Sequence, residues 1–368
     1  MDVMERARAL EAAGRSLVRM EVGQPGTGAP RAARDALARA MRDGPLGYTV
    51  ALGLPALRAR IAALYGAWYG LDLDPRRVVV TAGASAGFLL AFTALFDAGA
   101  RVGVGLPGYP SYRAILRALS LDPVGIETGA ASRFQPRPGD VAGLDGLVVA
   151  SPANPTGTML DRAALGALAA ACREAGAALI SDEIYHGIQF GDRAVSALEV
   201  DDGATVVNSF SKYFSMTGWR IGWLVVPADM VRTYERLAQN MFICAPHPSQ
   251  VAALAALDAS DELDANLAVY AANRRLLIDG LPAAGLGRFA PPDGAFYVYA
   301  DTAAIGDDSA ALCTDILEGA GVALTPGVDF DPGRGRGSVR FSYACGSDDV
   351  ERALDRLVRH ARERGWVA

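Results

Sequence analysis

One residue type is distributed so unevenly that it points to chemistry before any pattern is considered. Of the 35 Lys and Arg residues, 34 are arginine and one is lysine, Lys212. Arginine replaces lysine at most exposed positions, but its guanidinium stays protonated and cannot act as an amine nucleophile, whereas lysine can. A chain that has drifted to arginine and keeps a single lysine marks the place where the amine itself is needed. Lys212 lies in Asn208-Ser-Phe-Ser-Lys-Tyr-Phe-Ser-Met-Thr-Gly-Trp-Arg220-Ile-Gly-Trp223. Ser209, Ser211 and Arg220 set two hydroxyls and a guanidinium near it, donors for a dianionic phosphate that arginine can grip through two oxygens. An amine beside such a cradle suits a phosphate-bearing aldehyde. A serine-rich turn capping the next element would account for the hydroxyls, though not for the lysine.

Four more segments carry candidate groups. Val78-Val-Val-Thr-Ala-Gly83-Ala-Ser85-Ala-Gly87 reads as a strand, a small-residue turn and a helix start, whose free N–H groups with Ser85 would form an anion site; many βα turns look the same. Pro107-Gly-Tyr109-Pro-Ser-Tyr112 can present an aromatic face to a flat ring, or be an ordinary loop. Ser151-Pro-Ala-Asn154-Pro-Thr-Gly157 places an amide just beyond a strand, although Asn-Pro is also a common turn pair. Ala178-Leu-Ile-Ser-Asp182-Glu-Ile-Tyr185 ends a strand in a carboxylate with a phenol three residues on, and Asp182 could equally cap a helix.

Placing these groups together requires a frame. Short Val/Ile-rich runs alternate with longer Ala/Leu/Arg stretches of helical period, the pattern of βα units around a mostly parallel sheet. Strands are expected at 77–81, 146–150, 177–181, 204–208 and 219–226, and helices at 55–69, 85–96, 161–175 and 230–240. Near Leu281–Pro292 the spacing changes, and 295–299 and 338–342 look like strands of a separate α+β lobe with which the first 40 or so residues pack. Open α/β sheets bind ligands beyond the carboxyl ends of their strands, where Ser209 to Lys212 fall.

At 368 residues the chain is long enough for a large core and a smaller one. With 51% hydrophobic and 21% charged residues it is globular rather than disordered. A net charge of −6 without a basic tract argues against nucleic acid. No run approaches the ~20 apolar residues of a membrane span, so a cytoplasmic protein is expected. Cys172, Cys244, Cys313 and Cys345 form no C-x-x-C pair, so reduced thiols are expected. His186, His247 and His360 are scattered, and without H-E-x-x-H no metal site is expected.

The ordered set S-F-S-K…G-W-R, N-P-T-G and D-E-x-Y resembles the fold-type I pyridoxal 5′-phosphate (PLP) enzymes, and within them the class I/II aminotransferases, over almost the whole chain. The resemblance implies an α/β large domain, residues 41–280, around a mostly parallel seven-stranded sheet, with a smaller α+β domain from 1–40 and 281–368. It implies transfer of an α-amino group between an L-amino acid and a 2-oxo acid. Lys212 would hold PLP as a Schiff base and later move the Cα proton. Asp182 would pair with the ring nitrogen, Asn154 and Tyr185 would contact the phenolic oxygen, and Tyr109 would stack on the ring. Ala84, Ser85, Ser209 and Arg220 would hold the phosphate, with Ser211 beside them and Tyr48 arriving from the second subunit of a homodimer with shared sites. Arg340, in Val339-Arg-Phe-Ser-Tyr343, would grip the substrate carboxylate with the Gly23 backbone and Asn154.

Two places depart from the family pattern. Gly23-Gln-Pro-Gly-Thr27 stands where relatives often read G-E-P-D-F, so an aspartate preference does not carry over, and His247 sits between two prolines with no evident role. A β-lyase on the same fold is the main alternative, because the same carbanion can be protonated or eliminate. Ser209-Phe-Ser-Lys212 also reads S-x-x-K, but the K-T-G partner of that acyl-enzyme class needs a second lysine. Gly103-Val-Gly105-Leu-Pro-Gly108 mimics a dinucleotide fingerprint, yet its glycines fall inside a strand, and Pro107 and Pro110 are expected to interrupt the following helix.

Overall fold

A computed structural model describes residues 2–367. The chain opens with α1 (Asp2–Ala12), β1 (Val18–Arg19), α2 (Arg31–Asp43) and α3 (Pro55–Tyr69). There follow β2 (Val78–Thr81), α4 (Ala84–Leu95), β3 (Arg101–Leu106), α5 (Pro110–Ala118), β4 (Asp122–Glu127), β5 (Gly146–Ala150), α6 (Arg162–Ala175), β6 (Ala178–Asp182), β7 (Thr205–Ser209) and β8 (Gly222–Val225). The last part comprises α7 (Val231–Phe242), α8 (His247–Ala256), α9 (Ser260–Gly280), β9 (Tyr297–Asp301), α10 (Ser309–Gly319), β10 (Val322–Ala323), β11 (Thr325–Pro326), β12 (Ser338–Ser342) and α11 (Ser347–Glu363).

Seven strands form one sheet in the order β2-β8-β7-β6-β5-β3-β4. All run parallel except β8, which lies antiparallel between β2 and β7. Strands β2, β7 and β8 are buried along their whole length, as continuous Val/Leu-rich runs must be when helices cover both faces. The expected mixed α/β fold with a mostly parallel seven-stranded sheet is therefore present.

The expected strand over 219–226 begins only at Gly222: Thr217–Trp219 is a 3₁₀ turn and Arg220 is left-handed, with φ +49°. The chain must reverse there to enter the sheet antiparallel, so the start of the apolar stretch is spent on the turn. Pro110 does not interrupt α5 but opens it at the first position, where no N–H is needed. Asp161, expected inside α6, is its N-cap and accepts from Ala164 N at 2.7 Å.

Beyond the large sheet, β11-β12-β9 form an antiparallel sheet and β1 pairs parallel with β10. Helix α11 buries Val350, Ala353, Leu357 and Ala361 on one stripe in the same core as Tyr297 and Phe341; each large apolar side chain so buried contributes about 1.5–3 kcal/mol. Among the first 40 residues, Val18 and Met20 join this second core, whereas α2 packs on α8 and puts Ala33 into the large one. Helix α9 serves both, with Leu263 in the first core and Tyr270 and Leu277 in the second. Among the described residues no helix is long and apolar enough to cross a membrane, and all four cysteines are free.

Candidate active site

Strands β5, β6 and β7 are parallel neighbours, so their carboxyl ends deliver Ala150, Asp182 and Ser209 to one edge. A few residues beyond them lie Asn154, Tyr185 and Lys212. The Lys212 Nζ is part-buried and donates to the Gly23 carbonyl at 2.5 Å. It lies 5.8 Å and 5.9 Å from the ring centres of Tyr185 and Phe296. Burial, then repulsion from Arg340, brings its pKa down to about 8 against the pull of Asp182. At neutral pH a usable share of this amine is unprotonated, which an ordinary surface lysine does not offer.

Asp182 accepts from Ile184 N at 3.1 Å through one oxygen and from the Tyr112 hydroxyl through the other. Burial pushes its pKa up to about 6, opposed by Tyr112, Ile184 and Lys212, so the group remains ionised at neutral pH. The Tyr185 hydroxyl meets that of Tyr297 at 2.6 Å, and burial first, Tyr297 second, drive its pKa well above the ordinary value.

Helix α4 starts at Gly83 with no side-chain cap, leaving first-turn N–H groups free to face an anion. A Cβ on Gly83 would lie 2.3 Å from Arg220 Nη2, so only glycine lets the guanidinium close on the helix start. Arg220 Nη1 donates to Thr217 O at 2.8 Å. Ser209 Oγ donates to Ser211 Oγ at 2.8 Å and to Ile221 O at 3.0 Å as alternatives. Ala84 is buried and Ser85 exposed in the first turn. Together these groups make a cradle of N–H, hydroxyl and guanidinium donors.

Arg340, on β12, donates to Asn154 Oδ1 at 2.9 Å and to Glu21 O at 2.6 Å. Its guanidinium carbon sits 4.4 Å from the Tyr297 ring centre and 4.8 Å from that of Phe330. It is 6% exposed, its Nε has no partner, and no carboxylate forms an ion pair with it among the described residues. A buried cation without a carboxylate partner leaves part of its desolvation cost uncompensated. Gly23 is held by close approach as well, since a Cβ there would fall 1.9 Å from the Tyr297 hydroxyl.

Tyr109 is half-buried at the start of α5, edge-on to Tyr112 at 5.4 Å. Tyr48 stands apart, 83% exposed on a loop that His247 holds by donating from Nδ1 to Gly47 O at 2.8 Å. Tyr112, Tyr297 and Phe330 were not singled out from sequence. Tyr112 was visible in the P-G-Y-P-S-Y run, whereas nothing local marked the other two. No cluster of three or more His, Cys, Asp or Glu side chains among the described residues is placed to hold a metal ion.

The chain matches the family of class I and II aminotransferases over residues 15–357. It is 49% identical to the valine–pyruvate aminotransferase of Mycobacterium tuberculosis, with 97% of this chain and 94% of that protein covered. Its fold matches a crystal structure of an aminotransferase from Mycobacterium tuberculosis with a TM-score of 0.96 at 48% identity, over 99% of this chain and 96% of the other. The aspartate aminotransferase of Thermus thermophilus with maleate gives a TM-score of 0.90 at 33% identity, over 98% and 95%. These relatives support amino-group transfer over the lyase alternative, and this chain belongs to the PLP-dependent class I and II aminotransferases.

Proposed function

We propose that this aminotransferase uses the residues at the shared strand edge to hold PLP and Arg340 to hold the amino or oxo acid, with valine and pyruvate as the first pair to test. The observation that carries the reading is the buried Arg340 guanidinium, without a carboxylate partner, in the electrostatic neighbourhood of the chain's one lysine. The residues fit the cofactor: an uncapped helix start closed by Arg220 suits a phosphate, and Asp182 suits a ring nitrogen that must stay protonated.

PLP, when bound, supplies an aldehyde for amine exchange and a ring that takes up electron density from the substrate carbon. Ala84, Ser85, Ser209, Ser211 and Arg220 would hold its phosphate, Tyr109 its ring face, and Asn154 and Tyr185 its phenolic oxygen. Lys212 Nζ would be the attachment point and, once free, would take the proton from the substrate Cα, a task suited by a pKa near neutrality. Arg340, steadied by Asn154 and flanked by Tyr297 and Phe330, would bind the carboxylate with Gly23 alongside.

A homodimer with shared sites is supported by Tyr48 and Val50, exposed next to Ile243 and Met241, where Thr49 N meets Cys244 Sγ at 3.4 Å. Tyr48 would then complete the partner's phosphate cradle. Four free thiols suit a cytoplasm. We divide the chain into 41–280 and 1–40 with 281–368, a first boundary that falls inside α2; Met1 and Ala368 lie outside the described residues.

The test is a panel of amino donors offered with pyruvate, with alanine and the donor's 2-oxo acid measured. Valine should be among the best donors, reflecting the 49% identical relative. Alanine formed only from aspartate or glutamate would overturn the substrate assignment, and release of ammonia without alanine would overturn the role given to the site.

A further inference from the structure

Beyond its contact with Asp182, Tyr112 occupies a specific place in the fold. It sits in the first turn of α5, which follows β3, and β5 separates β3 from β6 in the sheet. Its hydroxyl therefore crosses the end of β5 to reach the Asp182 carboxylate. The ring is 5% exposed and wedged edge-on between Phe88, at 5.0 Å, and Tyr109, at 5.4 Å. Tyr109 is the residue expected against the cofactor ring, so one aromatic pair would touch the cofactor through its face and, by way of Asp182, through its nitrogen.

We infer that Tyr112 is a positioning residue for the cofactor's ring nitrogen: its hydroxyl holds Asp182 ionised and turns the carboxylate toward that nitrogen. This rests on the proposal that Asp182 is the nitrogen's partner. A carboxylate with one oxygen fixed by Ile184 N and the other by a phenol has lost its freedom to rotate, so its remaining lone pairs have one direction. Donation to the charged form also opposes the desolvation that otherwise favours a neutral acid. The phenol can do this at any working pH, because burial and the facing Asp182 keep it from ionising. Lys212 is the other group with charge acting on Asp182, and it favours the ionised form as well.

The alternative is that Tyr112 merely fills the space beside Phe88. Tyr112→Phe separates the two, since it keeps the ring and removes the hydroxyl. In the holoenzyme the pH midpoint of the cofactor's visible absorbance should move upward, because a less positive ring leaves the Lys212 nitrogen bonded to it less acidic. The kcat should fall about ten- to a hundredfold, the loss expected for one hydrogen bond to a charged group, with KM for the amino acid nearly unchanged. Tyr112→Leu, smaller and equally without a donor, should show the same midpoint shift whatever its packing costs. In an Asp182→Asn background, Tyr112→Phe should add little, as two changes acting through one group are not additive.

A wild-type midpoint and kcat in both Tyr112 variants, with altered melting alone, would overturn the inference. So would full additivity with Asp182→Asn. If Asp182→Asn itself leaves the midpoint unmoved, the pairing of Asp182 with the ring nitrogen fails; if it moves the midpoint and Tyr112→Phe does not, only the role of Tyr112 fails.

Discussion

Asp182 and Glu183 are consecutive buried carboxyl groups at the end of β6, yet they serve different sides of the sheet. Successive side chains of a strand leave it in opposite directions. Asp182 meets Tyr112 and feels Lys212, whereas Glu183 Oε1 accepts from Ala197 N at 2.7 Å, Ser196 Oγ at 3.0 Å and Ser181 Oγ at 3.2 Å. Burial raises both, but Asp182 stops at about 6 and Glu183 reaches about 8, where neighbouring Glu199 adds to the rise. At neutral pH the first is therefore ionised and the second mostly protonated. Both side chains are fully buried, so the difference lies in their neighbours: Tyr112, Ile184 N and Lys212 oppose the rise at Asp182, whereas Glu199 adds to it at Glu183.

The largest effect should come from the site side. Lys212→Arg should keep the fold but abolish transamination, because the guanidinium offers no attacking amine. Borohydride treatment of the wild-type holoenzyme should place one phosphopyridoxyl group per chain on the peptide holding Ser209 to Tyr213, and none there in the variant. A label found only at Met1, or normal turnover in the variant, would remove Lys212 from the mechanism.

Asp182→Asn should cut kcat by about two or more orders of magnitude while the cofactor stays bound, since a neutral amide does not keep a ring nitrogen protonated. Near-normal kcat would put Asp182 and Glu183 in the same structural class and dissolve the contrast between them.

Arg340→Ala should raise KM for amino acids by roughly 30- to several thousandfold, from the roughly 2–5 kcal/mol lost when a buried carboxylate forfeits its partner. PLP binding should change far less. An equal loss for amines without a carboxylate would assign Arg340 to packing between Tyr297 and Phe330.

Glu183→Gln should have the smallest effect on turnover and a visible one on stability. The folded pKa near 8 lies above the ordinary 4.5, so the stability that Glu183 contributes is full below about 4.5 and is lost as pH rises through about 8. His186 acts in the opposite sense, because burial lowers it from 6.5 to about 4 and its contribution is lost only as pH falls through about 4. Between pH 6.5 and 8 the decline therefore belongs to Glu183, and the melting temperature of the Gln variant should be flatter there. An unchanged slope would mean that Glu183 is ionised in the native state and the contrast with Asp182 rests on position alone.

Much of this frame was legible before folding. Buried parallel strands are continuous apolar runs, so β5, β6 and β7 were found to within one residue, and with them the positions just past their ends. The strand expected over 219–226 is shorter in the structure because hydrophobicity does not distinguish a buried turn from a buried strand, and Arg220 takes a left-handed backbone there. Pro110 opens α5 for a similar reason, since a proline marks a helix start as readily as a break.

The amino-acid sequence by itself determined which group could do the chemistry: one amine among 34 guanidinium groups, with a carboxylate, an amide and hydroxyls each tied to a strand end a few residues away. Tertiary structure decided which of two adjacent carboxyls stays charged, which phenol braces it, and that Arg340 would be buried without a carboxylate between Tyr297 and Phe330. Those facts depend on desolvation and on neighbours dozens to hundreds of residues distant, such as Arg340 against Glu21 O and Asn154. Spacing along a chain encodes the period of a strand or helix, but the electrostatic environment of a side chain is a property of the packed volume around it.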